Sequence, residues 1–149
     1  MNGQQHIVSV IVPCRNEQDH IEAFCRSVAA QAVPEGWVLE VLIADGLSDD
    51  GTRERLAAFC SQDPRFVMLD NPGRIVSCGL NRCIEQARGE FIVRLDVHTV
   101  YADDYIAQLR SRLKASLPGV EVAFQTGGII NDVLNFGLKA PIDIQVKGP

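Results

Sequence analysis

The sequence predicts one α/β domain built on a mainly parallel, three-layer α/β/α sheet. Short β-branched apolar runs alternate along the chain with longer segments whose apolar residues recur at helical spacing. The runs are almost continuously apolar, which is typical of strands buried on both faces by flanking helices. A length of 149 residues with 46% hydrophobic residues gives enough material for a single core.

The first unit is a strand followed by a helix. A β-branched run over 7–13, ended by Pro13, predicts a strand. The segment 17–32 then predicts a helix, with Asn16 as its N-cap. The apolar residues at helical spacing in this segment are Ile21, Phe24, Cys25, Val28 and Ala32.

The same alternation continues to about residue 126. The sequence predicts, in order, a strand over 39–45, a helix over 49–62, a strand over 65–70, a helix over 77–88, a strand over 90–96, a helix over 102–117 and a strand over 120–126. Gly89 is the predicted C-cap of the third helix.

The last residues fit this alternation poorly. Segment 127–149 contains four glycines and two prolines and shows no clear period. We therefore expect one domain over 1–126 and an irregular tail over 127–149. For the tail, a loop with a short helix, an edge segment and a disordered end all remain open.

Composition and charge exclude several classes of protein. A net charge of -5 and a pI near 5.1 argue against a nucleic-acid binder, because no run of Lys and Arg could neutralise phosphates. The N-terminus lacks the basic region of a signal peptide, and no apolar run approaches the roughly 18–20 residues that cross a bilayer, so we expect a cytoplasmic chain. Without any C-x-x-C pair, the five cysteines are expected to be reduced core thiols rather than zinc ligands: Cys14, Cys25, Cys60, Cys78 and Cys83.

Polar residues follow each of the first four predicted strands. These strands run into the sequences PCRNE, ADGLSDDGT, LDNPG and LDVHT. Asp, Asn and Ser are common in loops and helix caps whatever the function. In a parallel sheet, however, all four strand ends meet at one edge, where α/β proteins bind their ligands. The sequence therefore predicts a polar ligand site at that edge.

The acidic character of this edge points to a metal. Neither a P-loop nor the G-x-G-x-x-G fingerprint is present, so an anionic ligand would need a cation to bridge it. Asp96 and His98 lie two positions apart at the end of a predicted strand, where side chains project in the same direction. A carboxylate with an imidazole suits Mn²⁺, and Mg²⁺ held chiefly by Asp96 is the alternative. His98 either ligates the ion or orients one of its ligands.

The ordered motifs resemble those of the family 2 glycosyltransferases, enzymes with the GT-A fold. VSVIVPCRNE is similar to the family's opening strand, VLIADGLSDDGT to its second motif, NPGRIVSCGLN to its N-x-G segment, and ARGEFIVRLDVHT to its D-x-D motif. The resemblance covers residues 7 to about 117. His98 replaces the second Asp of D-x-D, a form that resembles the succinoglycan-type exopolysaccharide transferases.

This resemblance implies a nucleotide-diphosphate sugar donor, expected to be a UDP-sugar. It implies that Glu17 approaches the ribose, that Asp45 accepts the N–H of a uracil-like base, and that Asp96 with His98 holds the divalent metal. Asp49 and Asp50 have a weaker claim, because acid stabilises a helix N-terminus in any protein. The donor-binding residues that the resemblance implies are Pro13, Asn16, Glu17, Asp45, Ser48, Asp49, Arg74 and Asp96.

The implied reaction is an inverting transfer to a saccharide or lipid-linked acceptor in polysaccharide biosynthesis, with peripheral association at the inner face of the membrane. Family catalytic domains continue beyond the length of this chain with the acceptor site and a general base, so the chain is expected to be the donor-binding half and the catalytic base stays unassigned. Asp132 and Asp143 are expected to be solvated loop residues. A non-catalytic nucleotide-sugar-binding module is the alternative. The third possibility, from another class, is a nucleotidyltransferase. Such an enzyme has a Gly-rich, basic loop after its first strand, and the sequence PCRNE has neither feature.

Overall fold

The computed structural model describes residues 6–116 together with residues 122–123 and 145–146. Its elements follow the predicted alternation of strands and helices. In chain order they are β1 (His6–Cys14), α1 (Ile21–Ala29), β2 (Trp37–Asp45), α2 (Thr52–Gln62), β3 (Phe66–Asp70), α3 (Val76–Gln86), β4 (Phe91–Arg94), α4 (Tyr105–Ser116), β5 (Val122–Ala123) and β6 (Gln145–Val146).

The main sheet has the strand order β3-β2-β1-β4, and all its neighbouring pairs are parallel. The register pairs Cys14 with Asp45 and Asp45 with Asp70, so β1, β2 and β3 end at the same level. β4 pairs Arg94 with Ile11 and points the same way. The prediction that four strand ends share one edge of a parallel sheet is confirmed.

Helices cover both faces of this sheet. On one face, Phe24 of α1, Leu56 of α2 and Ile106 of α4 pack in a single cluster against alternate residues of β1 and β2. On the other face, Leu80 and Cys83 of α3 pack against the opposite side of the same strands. Each such large apolar side chain contributes about 1.5–3 kcal/mol when fully buried. The predicted three-layer architecture is confirmed.

A second, short sheet pairs two segments from the later part of the chain. β5 runs antiparallel to β6, with Val122 opposite Val146. The predicted strand over 120–126 thus contains β5, and the tail over 127–149 supplies β6. The remaining residues of those two segments lie outside the described residues, and a boundary at residue 126 stays a prediction.

The turn after β1 differs from the prediction. The strand continues through Pro13 to Cys14, and the helix starts at Ile21 instead of 17. The amides of His20 and Ile21 donate to the carbonyl of Glu17, at 3.0 and 2.9 Å, so the intervening residues form a turn. Asn16 is therefore not the N-cap; that position belongs to His20, which makes no side-chain capping bond.

Gly89 has a different role from the predicted C-cap. α3 ends at Gln86 and its C-cap is Ala87. A Cβ atom on Gly89 would lie 2.6 Å from both the amide nitrogen and the hydroxyl of Ser9. Glycine is thus needed here because the loop before β4 passes directly against the backbone of β1.

The cysteines agree with the prediction of reduced thiols. All five are free, and Cys14, Cys25 and Cys83 are buried. Burial raises the pKa of Cys25 to about 12 and that of Cys83 to about 11. Burial, with the nearby Asp45 carboxylate, raises the pKa of Cys14 further. Such thiols are protonated at neutral pH and unreactive.

Within the described part of the chain, no helix has the length and apolar character that spanning a bilayer requires. The longest of those helices, α4, has 12 residues, against the roughly 20 that a bilayer requires.

Candidate functional site

A cleft opens where the connections from the sheet diverge. After β1 the chain moves to β2 on one side, whereas after β3 it crosses to β4 on the other side of β1. Ligands bind at such a switch point in open α/β sheets, because the loops on either side leave a crevice between them. The cleft has a volume of about 490 Å³, within the usual range for small-molecule sites. Its polar lining comprises Arg15, Glu17, Asn71, Arg74, Arg94, Asp96, His98 and Thr99.

Arginines offset the carboxylates in this cleft. Arg15, Arg74 and Arg94 line it together with Glu17 and Asp96. Arg94 also contacts Asp96, with 3.1 Å between Nη2 and Oδ1. Arg74 is predicted from the sequence, whereas Arg15 and Arg94 are not. Arg15 precedes the predicted site residue Asn16, and Arg94 contacts Asp96. An anionic ligand therefore meets cationic side chains here as well as acidic ones.

Two buried polar atoms in the cleft lack a protein partner. Within the described residues, Asn71 Oδ1 and Arg94 Nε are the buried side-chain atoms without a hydrogen bond. Asn71 is only 2% exposed, and its Nδ2 donates to the carbonyl of Ile75 at 2.9 Å, which leaves Oδ1 as a free acceptor. Buried polar atoms nearly always have partners, so this pair leaves one acceptor and one donor unused on residues that line the cleft.

Asp96 lies in a turn and not on an extended strand. β4 ends at Arg94, and the amide of Thr99 donates to the carbonyl of Asp96 at 3.2 Å. The amide of Asp96 donates to the Tyr101 hydroxyl at 2.9 Å. The premise that Asp96 and His98 alternate along a strand is therefore wrong, although both side chains line the same cleft.

A group of potential metal ligands forms around His98. Glu17 Oε1 lies 2.9 Å from His98 Nε2, and the rings of His20 and His98 meet edge to face at 4.9 Å. One ligand atom from each of Glu17, His20 and His98 lies within 4.8 Å of the others. Asp96 is not in this group. His20 is not predicted from the sequence, although its spacing of three residues from Glu17 within the helix predicted over 17–32 would place the two together.

Asp45 contacts protein groups instead of lining the cleft. Its side chain is fully buried, and it accepts hydrogen bonds from the Ser48 amide at 3.0 Å and the Ser48 hydroxyl at 2.5 Å. Arg53 donates to Asp45 at 2.6 Å and to Asp70 at 2.7 Å. The Asp45 carboxylate is thereby compensated within the protein, as a buried charge requires.

Asn16 joins the loop after β1 to the loop after β2. Its side chain exchanges two hydrogen bonds of 3.1 Å with Asp49, and its amide donates to Ser48 Oγ at 2.8 Å. Asp50 accepts from the Gln18 amide at 3.1 Å. The hydrogen bond from the Thr52 hydroxyl lowers the pKa of the Asp50 carboxyl below its ordinary value.

The residues selected from the sequence thus occupy two places. Pro13, Glu17, Arg74 and Asp96 line the cleft, together with His98. Asn16, Asp45, Ser48 and Asp49 form a neighbouring hydrogen-bond network that fixes the loops after β1 and β2. Their direct contact with a nucleotide stays a prediction.

Left-handed backbone occurs in the loops that follow β1, β2 and β3. Asn16, Leu47 and Arg74 have φ angles of 54°, 56° and 56°. Each costs on the order of 1 kcal/mol for a residue with a Cβ atom. The surrounding hydrogen bonds hold these conformations at the edge that carries the cleft.

Comparison with solved structures identifies the fold. A mannosyltransferase from Pyrobaculum calidifontis, solved with GDP-Man and Mn²⁺, aligns with a TM-score of 0.68 and 27% identity over 86% of this chain and 37% of its own. The S. aureus TarS fragment 1–349, solved with UDP, aligns with a TM-score of 0.62 and 22% identity over 77% of this chain and 33% of its own. The sheet order and the cleft at its switch point define an α/β domain of the GT-A type.

Sequence comparison identifies the family. The model for "Glycosyl transferase family 2" matches residues 9–139, and the chain belongs to that family. The succinoglycan biosynthesis protein ExoA of Rhizobium meliloti is 39% identical over 122 residues, which are 80% of this chain and 36% of ExoA. A putative teichuronic acid biosynthesis glycosyltransferase, TuaG of Bacillus subtilis, is 35% identical over 99 residues, which are 64% of this chain and 37% of TuaG. The chain spans about a third of the length of these relatives.

Proposed function

We propose that the cleft binds the nucleoside diphosphate of a sugar donor, expected to be a UDP-sugar, for a glycosyl transfer in polysaccharide biosynthesis. The observation that carries the proposal is the pair of partnerless buried atoms in the cleft, Asn71 Oδ1 and Arg94 Nε. One accepts and the other donates a hydrogen bond, which suits a ligand with both N–H or O–H groups and anionic oxygens. Family membership and the nucleotides bound by the structural relatives, UDP and GDP-Man, support the same ligand class.

The cationic side chains are assigned to the diphosphate. Arg15, Arg74 and Arg94 line the cleft, and guanidinium groups bind phosphate oxygens through two parallel hydrogen bonds. Glu17, with a side chain only 15% exposed, is assigned to the ribose, since a carboxylate accepts hydrogen bonds from hydroxyl groups. Asp45 is engaged by Ser48 and Arg53, so its assigned base contact requires one of those bonds to be exchanged on binding.

The residues of the cleft also fit a divalent metal. Glu17 and Asp96 offer carboxylate oxygens and His98 an imidazole nitrogen, a mixed donor set that suits Mn²⁺ better than Ca²⁺. When bound, such an ion neutralises charge on the leaving diphosphate. Asp96 and His98 are the residues assigned to hold it, with Mg²⁺ as the alternative ion.

The transfer itself is assigned as an inverting one, to a saccharide or lipid-linked acceptor at the inner face of the membrane. The arginines of the cleft would hold the diphosphate and stabilise the negative charge that accumulates on it during transfer. This electrostatic contribution does not depend on the acceptor. A general base must remove the acceptor proton. No general base is assigned among the described residues. A non-catalytic nucleotide-sugar-binding module is therefore the second candidate function.

Calorimetric titration of the 149-residue chain with UDP, then GDP, with and without Mn²⁺, tests the donor site. We expect UDP to bind in the presence of Mn²⁺, and Asp96→Ala to lose the metal-dependent part of the affinity. Asp103→Ala, which removes an exposed carboxylate outside the cleft, is the matched control and should bind like the parent chain. Equal UDP affinity in the Asp96 variant and the parent would exclude the assigned site.

A radiolabelled transfer assay separates the two candidate functions. Sugar transfer from a UDP-sugar to a polysaccharide or lipid-linked acceptor by the chain would support catalysis. Nucleotide binding without any transfer under the same conditions would support the binding module.

A further inference from the structure

The group around His98 has a different composition from the metal site predicted around Asp96. Glu17, His20 and His98 bring one carboxylate and two imidazoles together, with their ligand atoms within 4.8 Å of one another. Two histidines with one carboxylate form the ligand set that holds catalytic zinc in several hydrolases. Imidazole nitrogen favours ions toward the zinc end of the first-row series, whereas Mg²⁺ prefers oxygen.

The backbone holds these side chains in place from two loops. The Glu17 carbonyl accepts the His20 amide at 3.0 Å, and the Glu17 amide donates to Thr52 Oγ1 at 2.8 Å, so Glu17 and His20 belong to one fixed turn. His98 follows Val97, which is buried and anchors the other loop in the core cluster. The 2.9 Å contact between Glu17 and His98 already joins the two loops.

The group is also open to solvent on one side. The side chain of His98 is 66% exposed and His20 is exposed, whereas Glu17 is mostly buried. An ion can therefore enter without rearrangement of the fold and keep water or a ligand oxygen on its remaining positions. Three protein ligands with an open position are typical of a reactive zinc site, in contrast to the closed four-ligand sites that stabilise folds.

We propose that Glu17, His20 and His98 form a three-ligand site for a transition-metal ion of the Zn²⁺ or Co²⁺ class at the mouth of the cleft. The proposal shares its location with the proposed function but does not rest on it, since all three ligands come from the protein and no nucleotide is needed. The site concerns the chain without nucleotide, in which Glu17, His20 and His98 supply the ligands. The assignments of Glu17 to the ribose and of Asp96 with His98 to the divalent metal concern the chain with its donor bound.

Metal titration without nucleotide tests the site. The full chain, kept reduced with a phosphine, is titrated calorimetrically with Zn²⁺, Mn²⁺ and Mg²⁺, and with Co²⁺ while the visible absorption is recorded. We expect one Zn²⁺ per chain, bound at least about tenfold more tightly than Mg²⁺. Co²⁺ should give visible ligand-field bands without the near-ultraviolet band of a cobalt thiolate, since the buried cysteines are protonated.

Glutamine variants of the histidines decide which side chains bind. His20→Gln and His98→Gln should each weaken Zn²⁺ binding by about tenfold or more, in line with the loss of one metal ligand. His6→Gln is the matched control, because His6 is the remaining histidine of the chain and pairs with Glu90 at the opposite edge of the sheet. The three histidine side chains are largely open to solvent, so their replacement should leave the free energy of unfolding nearly unchanged. The unfolding curves of all three variants should therefore coincide.

The proposal is overturned if Mg²⁺ binds as tightly as Zn²⁺, if a cobalt-thiolate band appears, or if His20→Gln behaves like His6→Gln. A UDP titration of the same variants separates this result from the proposed function. Zinc binding with no UDP binding would leave the metal site standing and remove the donor site. UDP binding with no effect of His20→Gln on Zn²⁺ would do the reverse.

Discussion

The two edges of the main sheet differ in whether every buried polar group has a partner within the protein. At the edge where the strands begin, Glu40 accepts from Ser9 Oγ at 2.6 Å, from the Arg88 amide at 3.0 Å and from Arg88 Nε at 2.6 Å. The Gly89 amide in turn donates to Ser9 Oγ at 2.9 Å. At the edge where the strands end, Asn71 Oδ1 and Arg94 Nε are left without partners.

Under the proposed function, this difference separates polar groups that stabilise the fold from those that bind the ligand. A buried network with every member hydrogen-bonded rigidifies the protein, whereas an unpartnered buried atom costs about 1–3 kcal/mol. Gly89 and Glu40 should therefore be sensitive in stability measurements, and Asp96 in binding measurements. Three predictions test this division, from the largest expected change in the free energy of unfolding to the smallest.

Gly89→Ala should lower the free energy of unfolding by about 3 kcal/mol, because the added Cβ would lie 2.6 Å from two atoms of Ser9 in a central strand. Urea unfolding of the purified chain measures the change. Gly46→Ala is the matched control at the other edge, where the added atom meets the flexible side chain of Arg15 at 3.1 Å. If Gly46→Ala lost as much stability as Gly89→Ala, the two edges would not differ in their tolerance of an added Cβ atom.

Glu40→Gln should cost about 2 kcal/mol of stability, because a glutamine amide facing the Arg88 N–H replaces an acceptor with a donor. The side chain of Glu40 is only 7% exposed, so water cannot easily take the place of the lost acceptor. Glu85→Gln, on the exposed surface of α3, should unfold like the parent chain. Equal stability of the two variants would show that the Glu40 network contributes little.

The pH dependence of this loss follows from the Glu40 carboxyl. Burial alone would raise its pKa, but the Arg88 amide, the Ser9 hydroxyl and the Arg88 guanidinium together hold the pKa below its ordinary value of 4.5. Its contribution is therefore present above that value and lost as the pH falls through the lower pKa of the folded state. The gap in stability between the parent chain and Glu40→Gln should narrow as the pH falls below the ordinary value of 4.5.

Asp96→Ala should change the free energy of unfolding by less than about 0.5 kcal/mol, because its carboxylate is half exposed and its ion pair with Arg94 is at the surface. The same variant should lose the metal-dependent binding of UDP described above. A large loss of stability would place Asp96 with the structural network instead of the ligand site.

The architecture was predictable because it depends on runs of residues. Buried parallel strands need continuous apolar segments, and the predicted strand over 39–45 lies within β2 and ends with it at Asp45. The position of the cleft, at the edge where the strands end, could be predicted from the direction of the strands alone. Element starts were less predictable: α1 begins at Ile21 because the Glu17 carbonyl closes a turn that no residue pattern announces.

The residues of the site were only partly predictable. Sequence position shows that Asp45 and Asp96 follow strands, but not that Ser48 and Arg53 already saturate Asp45 whereas Asp96 faces the cleft. Glu40 was missed because a single carboxylate within an apolar run gives no sign of its partner Arg88, which is 48 residues away. Such contacts depend on register between strands, which composition and spacing do not specify.

The left-handed residues Asn16, Leu47 and Arg74 bear on how quickly and selectively the cleft can act. Hydrogen bonds of Asn16, Ser48 and Arg74 hold these loops, so the chain around the cleft has little conformational freedom to lose when a ligand binds. Such a cleft should discriminate between its ligands by shape. Leu47→Gly, which loosens a loop without removing a side chain that lines the cleft, should make recognition more permissive.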